Sequence, residues 1–269
     1  MSDDLSSKIR NFYEGVHQKT ITSTVSVPPP EQRHWAKNID LLKTYLSRAK
    51  RPAELGAGVC RLAELHPRYV GLDISRSALK QSGKCMKIQC DLQSLPLRPR
   101  SIDMFFSIAT LEHIPIPERV LEELDRVLEP GGILWFDDAW FCRQWAASGI
   151  TIKTFSECKG TEKFVKLSIP IRDSRLFRAG YILPKRLLRE LYFLFVKKPS
   201  KLKWKKLSPN FEEYGVSDAD AVASLDPHEI QLWFKTRGYK LVNQANFFSR
   251  LFCRGLIIIR KPISPSKTP

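Results

Sequence analysis

The stretch PAELGAGVCRLAEL, residues 52–65, sets a carboxylate, Glu54, just ahead of two closely spaced glycines, Gly56 and Gly58, where an extended run meets a helical one. Without a Cβ, glycine lets the backbone turn sharply and come close to a ligand. Two more acids follow at the ends of the next extended runs: Asp73 closes YVGLD (69–73) and Asp91 closes MKIQCD (86–91). One aspartate after a strand is commonly a turn former or helix cap. Three acids at three successive strand ends, with a glycine turn at the first, read together as one binding edge. Asp73 can accept from both hydroxyls of a ribose. Asp91 can accept from the exocyclic amino group of adenine while Leu92 packs on the ring.

The same residues discriminate between nucleoside cofactors. A nicotinamide or flavin fingerprint needs a small third residue and holds a pyrophosphate on a helix N-terminus. Arg61 occupies the third-glycine place of that spacing here. Glu54, just before the turn, would repel a pyrophosphate but attract the cationic amino-acid end of a sulfonium cofactor. The charge pattern therefore favours S-adenosylmethionine.

The elements that must position these residues alternate along the chain. A helix over 31–50 carries Trp35, Ile39, Leu42 and Leu46 at helical spacing and stops before Pro52. Extended runs follow at 53–55, 69–73, 86–91, 103–108 and 132–136. Between the last two lies PERVLEELDRVL, with Val120, Leu121, Leu124, Val127 and Leu128 on one face, Pro117 in its first turn and EPGG at its end. A second well-marked helix opens at Asp226, with Pro227 in first position, Glu229 at capping-box spacing and Gly238 as the exit. It leads to the strands YKLV and GLIII, the latter at 255–259. This alternation predicts an α/β fold: a doubly wound, seven-stranded, mostly parallel sheet with helices on both faces.

The expected organisation is a flexible N-terminal arm (1–30), a cofactor-binding core (31–140), a substrate lid inserted before the last helix and strands (141–225), the end of the core (226–262) and a tail (263–269). Tyr192, Phe193, Phe195 and Trp204 are read as lid core rather than as stacking platforms.

Composition narrows the function classes. The formal net charge is +16, and nine Lys or Arg stand against the single Glu190 between residues 184 and 206. Such an excess calls for an anionic partner: a small substrate, a lipid surface met peripherally through 184–206, or, as second choice, nucleic acid. Six cysteines at 60, 85, 90, 142, 158 and 253 have no metal-ligand spacing, so no metal site is expected. The amino terminus lacks the apolar stretch of a secretory signal, and no apolar run reaches membrane-spanning length, so the expected location is cytoplasmic.

Residues 50–138 resemble the core of the class I S-adenosylmethionine-dependent methyltransferases, in particular the methyltransferase-11 type. AELGAGVCRL is similar to the glycine motif of that family, YVGLDIS to its ribose strand and CDLQSLPL to its adenine segment. SIDMFFSIATLEHIP is similar to its fourth strand and loop, and VLEELDRVLEPGGILWF to its next helix and strand. The resemblance implies cofactor contacts from Glu54, Gly56, Ala57, Gly58, Asp73, Ile74, Asp91, Leu92 and Ile108. It also places His113 at the pocket's edge as a candidate general base, with Asp137 and Asp138 as candidates for orienting a substrate. Asp218, Asp220 and His228 are further candidates where the insertion ends. Cys60 departs from the pattern, standing where the family often has a third glycine, so its backbone must take an angle that cysteine tolerates. The expected activity is methyl transfer to a small, anionic, sugar-like or lipid-linked acceptor, with oxygen as the favoured atom. An RNA methyltransferase and a non-catalytic binding protein are the alternatives.

Overall fold

The computed structural model describes residues 2–22, 36–196, 198–212 and 218–263. The inner apolar runs become strands because they are covered on both faces, whereas Met86–Gln89 at the sheet edge is largely exposed. Pro52–Leu55 (β1) and Val70–Asp73 (β2) are buried along their whole length, as inner strands of a parallel sheet are. Met86–Gln89 (β3) and Ile102–Ile108 (β4) flank them, and Leu128–Asp137 (β5) pairs with β4. Lys240–Leu241 (β8) and Ile257–Arg260 (β9) complete a seven-stranded sheet in the order β3-β2-β1-β4-β5-β9-β8. The first five strands are parallel; β9 runs antiparallel to β5 and β8 antiparallel to β9. The expected doubly wound architecture is therefore present.

Alternation along β4 divides the core into two layers. Phe105 faces one layer with the helices Pro117–Val127 (α4) and Pro227–Lys235 (α8), through Val120, Leu124, Ile230 and Phe234. Met104 and Phe106 face the other, with Ile39, Leu42 and Leu46 of Ala36–Leu46 (α2). Trp35, assigned to that helix from spacing, lies outside the described residues. The Asp226 carboxylate caps α8 by accepting from His228 N–H at 2.8 Å. Glu229 does not close a capping box; its carboxylate is taken by Arg189 at 2.7 and 2.9 Å.

The chain start differs from expectation. The Ser/Thr/Pro-rich composition of 1–30 suggests an arm, but Ser2–Thr22 forms a helix, α1. Ile9 is buried, and the Glu14 carboxylate accepts from the backbone N–H groups of Arg76 (2.7 Å) and Ser77 (2.9 Å) at the start of Arg76–Gln81 (α3). An anion at a helix N-terminus meets unpaired donors and a favourable dipole, which ties α1 to the core.

The stretch 141–225 contains Gln144–Ala147 (α5), Thr161–Arg172 (α6), Arg175–Phe195 (α7) and an antiparallel pair, Trp204–Lys206 (β6) with Ala223–Leu225 (β7). Of the four aromatics read as its core, Tyr192 and Phe195 are exposed and Phe193 is half-buried, while Trp204 is half-buried and packs against the main core.

Candidate functional site

The strand order changes direction between β1 and β4, where adjacent crossovers leave to opposite sides and open a crevice at the carboxyl ends of the strands. A cavity of about 420 Å³ lies there, within the range of small-molecule sites. All nine residues expected to contact a cofactor line it: Glu54, Gly56, Ala57, Gly58, Asp73, Ile74, Asp91, Leu92 and Ile108.

The glycine turn is built as its sequence demands. Gly56 and Gly58 have φ of +63° and +53°, in the left-handed region. A Cβ on Gly56 would sit 2.4 Å from the Thr110 side chain, whereas a Cβ on Gly58 would meet nothing within 4 Å. Cys60 also takes a left-handed φ of +53°. Room for its thiol comes from β2, where a Cβ on Gly71 would lie 2.5 Å from Cys60 Sγ. The glycine missing at 60 is thus compensated by one at 71.

Asp73 joins the turn to the second strand. Its two carboxylate oxygens accept from Gly58 N–H and from Ser75 N–H, each at 2.7 Å. Asp91 lies beyond the end of β3, where Cys90 N–H donates to Asp73 O at 2.9 Å, and it accepts from the backbone N–H of Gln93 at 2.9 Å. Glu54 is buried at the end of β1 and accepts from the Tyr69 hydroxyl. Burial raises its pKa to about 8; the tyrosine hydrogen bond opposes the shift, and the nearby Asp73 charge adds to it. A buried acid held near neutrality in this way is suited to meeting a cation.

His113 also lines the cavity, on a single 3-10 turn, Leu111–His113. Its Nδ1 lies 3.3 Å from the Asp220 carbonyl oxygen and 3.6 Å from Asp220 Oδ2. Its Nε2 lies 3.6 Å from Glu112 Oε1. Burial, with Asp138 close by, pushes the Glu112 carboxyl well above its usual range. The Tyr13 hydroxyl donates to Asp220 Oδ2 at 2.7 Å, and its ring meets the His113 ring edge-on at 5.9 Å between centroids. Helix α1 thereby delivers Ser6, Ile9 and Tyr13 to the cavity wall. Among the described residues of 141–225, only Asp220 lines the cavity.

Four sequence candidates belong elsewhere. Asp138 is buried, and one of its oxygens accepts from Ser107 Oγ (2.6 Å), Thr110 N–H (2.9 Å) and Leu111 N–H (3.1 Å). It therefore fixes the turn that carries His113, without lining the cavity. Asp137 also does not line it and accepts from Asn38 Nδ2 at 2.7 Å. His228 is fully buried beside Glu190, with Nε2 at 3.2 Å, in a charged cluster under α7. Asp218 does not line the cavity either and has a left-handed φ of +55°.

Ser6, Ile9 and Tyr13 were missed because the composition of 1–30 drew attention to its Pro- and Thr-rich end. The spacing of Leu5, Ile9, Phe12, Tyr13 and Val16 is the helical signal that could have found them.

Residues 53–136 match the family model of the methyltransferase domain. The sterol 4-C-methyltransferase strm-1 of Caenorhabditis elegans is 35% identical over 51 residues, covering 19% of this chain and 15% of that protein. Malonyl-[acyl-carrier protein] O-methyltransferase 1 of Coxiella burnetii is 36% identical over 78 residues, 27% of each chain. The matched stretch is thus less than a third of the length of either relative. A solved S-adenosylmethionine-dependent methyltransferase of Thermotoga maritima aligns over 84% of this chain and 87% of its own, at 18% identity and a TM-score of 0.44. The resemblance read from the motifs is borne out for the segment that builds the glycine turn and the acidic strand ends, and with it S-adenosylmethionine as the cofactor.

Proposed function

We propose that this protein transfers a methyl group from S-adenosylmethionine to an oxygen atom of a small, anionic, sugar-like or lipid-linked acceptor. The observation that supports it is the sharing of one cavity by the nine nucleoside-contact candidates and by His113. The residues suit the cofactor. Gly58 leaves open space where a side chain would project, Asp73 and Asp91 offer carboxylates to ribose and adenine, and Glu54 offers a buried acid to the ammonium group.

The bound cofactor supplies a methyl group on a sulfonium, already attached to a good leaving group. The protein's task is then to hold an acceptor oxygen in line with the methyl–sulfur bond and to remove its proton. Asp220 beside Nδ1 favours the His113 tautomer protonated there, which leaves Nε2 to accept a proton. With the methyl group supplied by the bound cofactor, His113 would take the proton that the acceptor's hydroxyl gives up. Asp138 holds the turn beneath the imidazole, and Tyr13 braces Asp220. The positive charge of the chain favours an anionic acceptor, and the relative from Coxiella is named for O-methyl transfer.

The test is incubation of a cell extract with the protein and methyl-labelled cofactor, followed by mass spectrometry of the small-molecule, lipid and RNA fractions. Label in a small-molecule or lipid product that disappears with His113→Ala supports the reading. Label in RNA, weakening steeply with salt, moves the function to nucleic acid. Cofactor binding without any labelled acceptor leaves a binding protein that keeps the fold.

A further inference from the structure

Helix α7 is packed inside out. In a helix lying on a globular core the apolar stripe faces inward and the charged residues face water. Here three charged residues, Arg186, Arg189 and Glu190, face inward. Arg186 donates to both oxygens of Asp226 (2.7 and 3.2 Å) and to the carbonyls of Leu251 and Cys253 (2.5 and 2.9 Å). Arg189 grips Glu229. Glu190, only 2% exposed, accepts from Arg250 at 2.8 and 2.9 Å, lies 3.2 Å from His228 Nε2 and accepts from Lys235 at 3.1 Å. These bonds fix the rotation of α7 and turn its apolar side outward. Leu188 and Phe195, seven positions apart on one helical face, are 67% and 85% exposed, and Leu176 nearer the helix start is 87% exposed. The neighbouring α6 adds Phe164 and Ile171, also exposed. Monomeric soluble proteins rarely leave a patch of this kind uncovered.

The charge around this face says what covers it. Between residues 175 and 206 the single acid is Glu190, and it is buried and paired. Among the described residues the exposed charges there are Arg175, Lys185, Lys198, Lys201, Lys203, Lys205 and Lys206, all cationic. Apolar side chains projecting from a helix amid cations match the boundary between anionic headgroups and acyl chains. Two like-charged copies of this face would repel each other, and RNA would make no use of the exposed leucines. No helix among the described residues is long and apolar enough to cross a membrane.

We infer that the outward faces of α6 and α7 dock this protein on an anionic lipid surface, lying in the interface with Leu188 and Phe195 among the inserted side chains. The inference goes beyond methyl transfer and is measured without turnover. The experiment is flotation of the full chain with vesicles of phosphatidylcholine alone and of phosphatidylcholine with phosphatidylglycerol. It compares the native protein with Leu188→Ser/Phe195→Ser and with Lys203→Glu/Lys205→Glu. These side chains are solvent-exposed, so unchanged melting curves establish that the variants are folded.

The expected result is flotation with the anionic vesicles only, reduced by salt and weakened at least about tenfold by each double substitution. Absence of flotation with phosphatidylglycerol overturns the inference. So does flotation unaffected by the Leu188/Phe195 pair, which would mean charge alone is read. A dimer in light scattering that Leu188→Ser/Phe195→Ser dissociates also overturns it, assigning the face to a second copy of the chain.

Discussion

Asp73 accepts the backbone N–H of Gly58 at 2.7 Å, so the acid of the second strand and the glycine turn of the first form one unit. A nucleoside placed in the cavity would meet that carboxylate already oriented, with no side-chain freedom left to lose on binding.

Asp73→Ala should weaken S-adenosylmethionine binding by about 1–3 kcal/mol, the scale of a lost charged hydrogen bond. It also leaves the N–H groups of Gly58 and Ser75 without their partner, so the melting temperature should fall too. Asp73→Asn keeps one acceptor oxygen and should recover part of the stability while binding stays weak. Calorimetry and thermal melting separate the two effects. Unchanged affinity in both variants would remove Asp73 from the ribose site.

Cofactor binding should release a proton. With its pKa near 8, Glu54 is mostly neutral at pH 7 in the free protein. A cationic ammonium beside it favours the ionised form, so its proton must leave on binding. Affinity should then rise as pH increases from about 6 to about 8, and calorimetry at pH 7 in buffers of different ionisation enthalpy should register close to one proton lost. Without ligand the sign is opposite for stability. A carboxyl raised in the folded state loses stability as pH rises from its unfolded value towards about 8, so bound cofactor should stabilise more at the alkaline end of that window. Glu54→Gln should abolish the proton release.

The two glycines of the turn should fail differently. Gly56→Ala adds backbone strain at φ +63° to a 2.4 Å clash with Thr110, whose hydroxyl is held by Leu55 O at 3.0 Å and cannot swing aside freely. Gly58→Ala incurs the strain of φ +53° alone, about 1–2 kcal/mol, and directs its methyl into open space. Gly56→Ala should therefore melt well below Gly58→Ala. Equal melting temperatures would show that Thr110 gives way.

The sheet was legible because its information is local. Buried parallel strands appear as short apolar runs, and the acids that end them stand out against those runs, so Glu54, Asp73 and Asp91 could be picked from the sequence. Cys60 could be recognised as a departure from the pattern, but its remedy at Gly71 could not, since the two meet only across paired strands. Asp137 and Asp138 show the limit from the other side. A carboxylate after a strand looks the same in sequence whether it faces a cavity or, like Asp138, accepts from the backbone of a neighbouring turn. The reach of α1 over the cavity depends on the Glu14 bonds to α3 and the Tyr13 bond to Asp220, a contact spanning 207 positions that no periodicity encodes. Helix α7 misled for a related reason. Its basic residues read together as a contact for an anionic partner, yet Arg186 and Arg189 are consumed by acids on α8 or at its cap, and it is the leucines that meet solvent.

Glu190 is the residue on which that arrangement turns. Burial alone would raise its pKa, but the hydrogen bonds from Arg250, His228 and Lys235 prevail and hold it below the usual carboxylate range. A carboxyl lowered in the folded state contributes stability that is complete above its unfolded value, about 4.3, and is lost as pH falls through the folded one. Glu190→Gln leaves Arg250 buried without a countercharge, and breaking a buried pair from one side costs about 3–5 kcal/mol. Denaturant titration at pH 7 should show that loss. Below about pH 4 the gap between native protein and variant should narrow, because Glu190 takes up a proton in the unfolded chain, which stabilises that state, while glutamine does not titrate. A gap that stays constant through that range would mean the cluster stabilises by packing and not by charge.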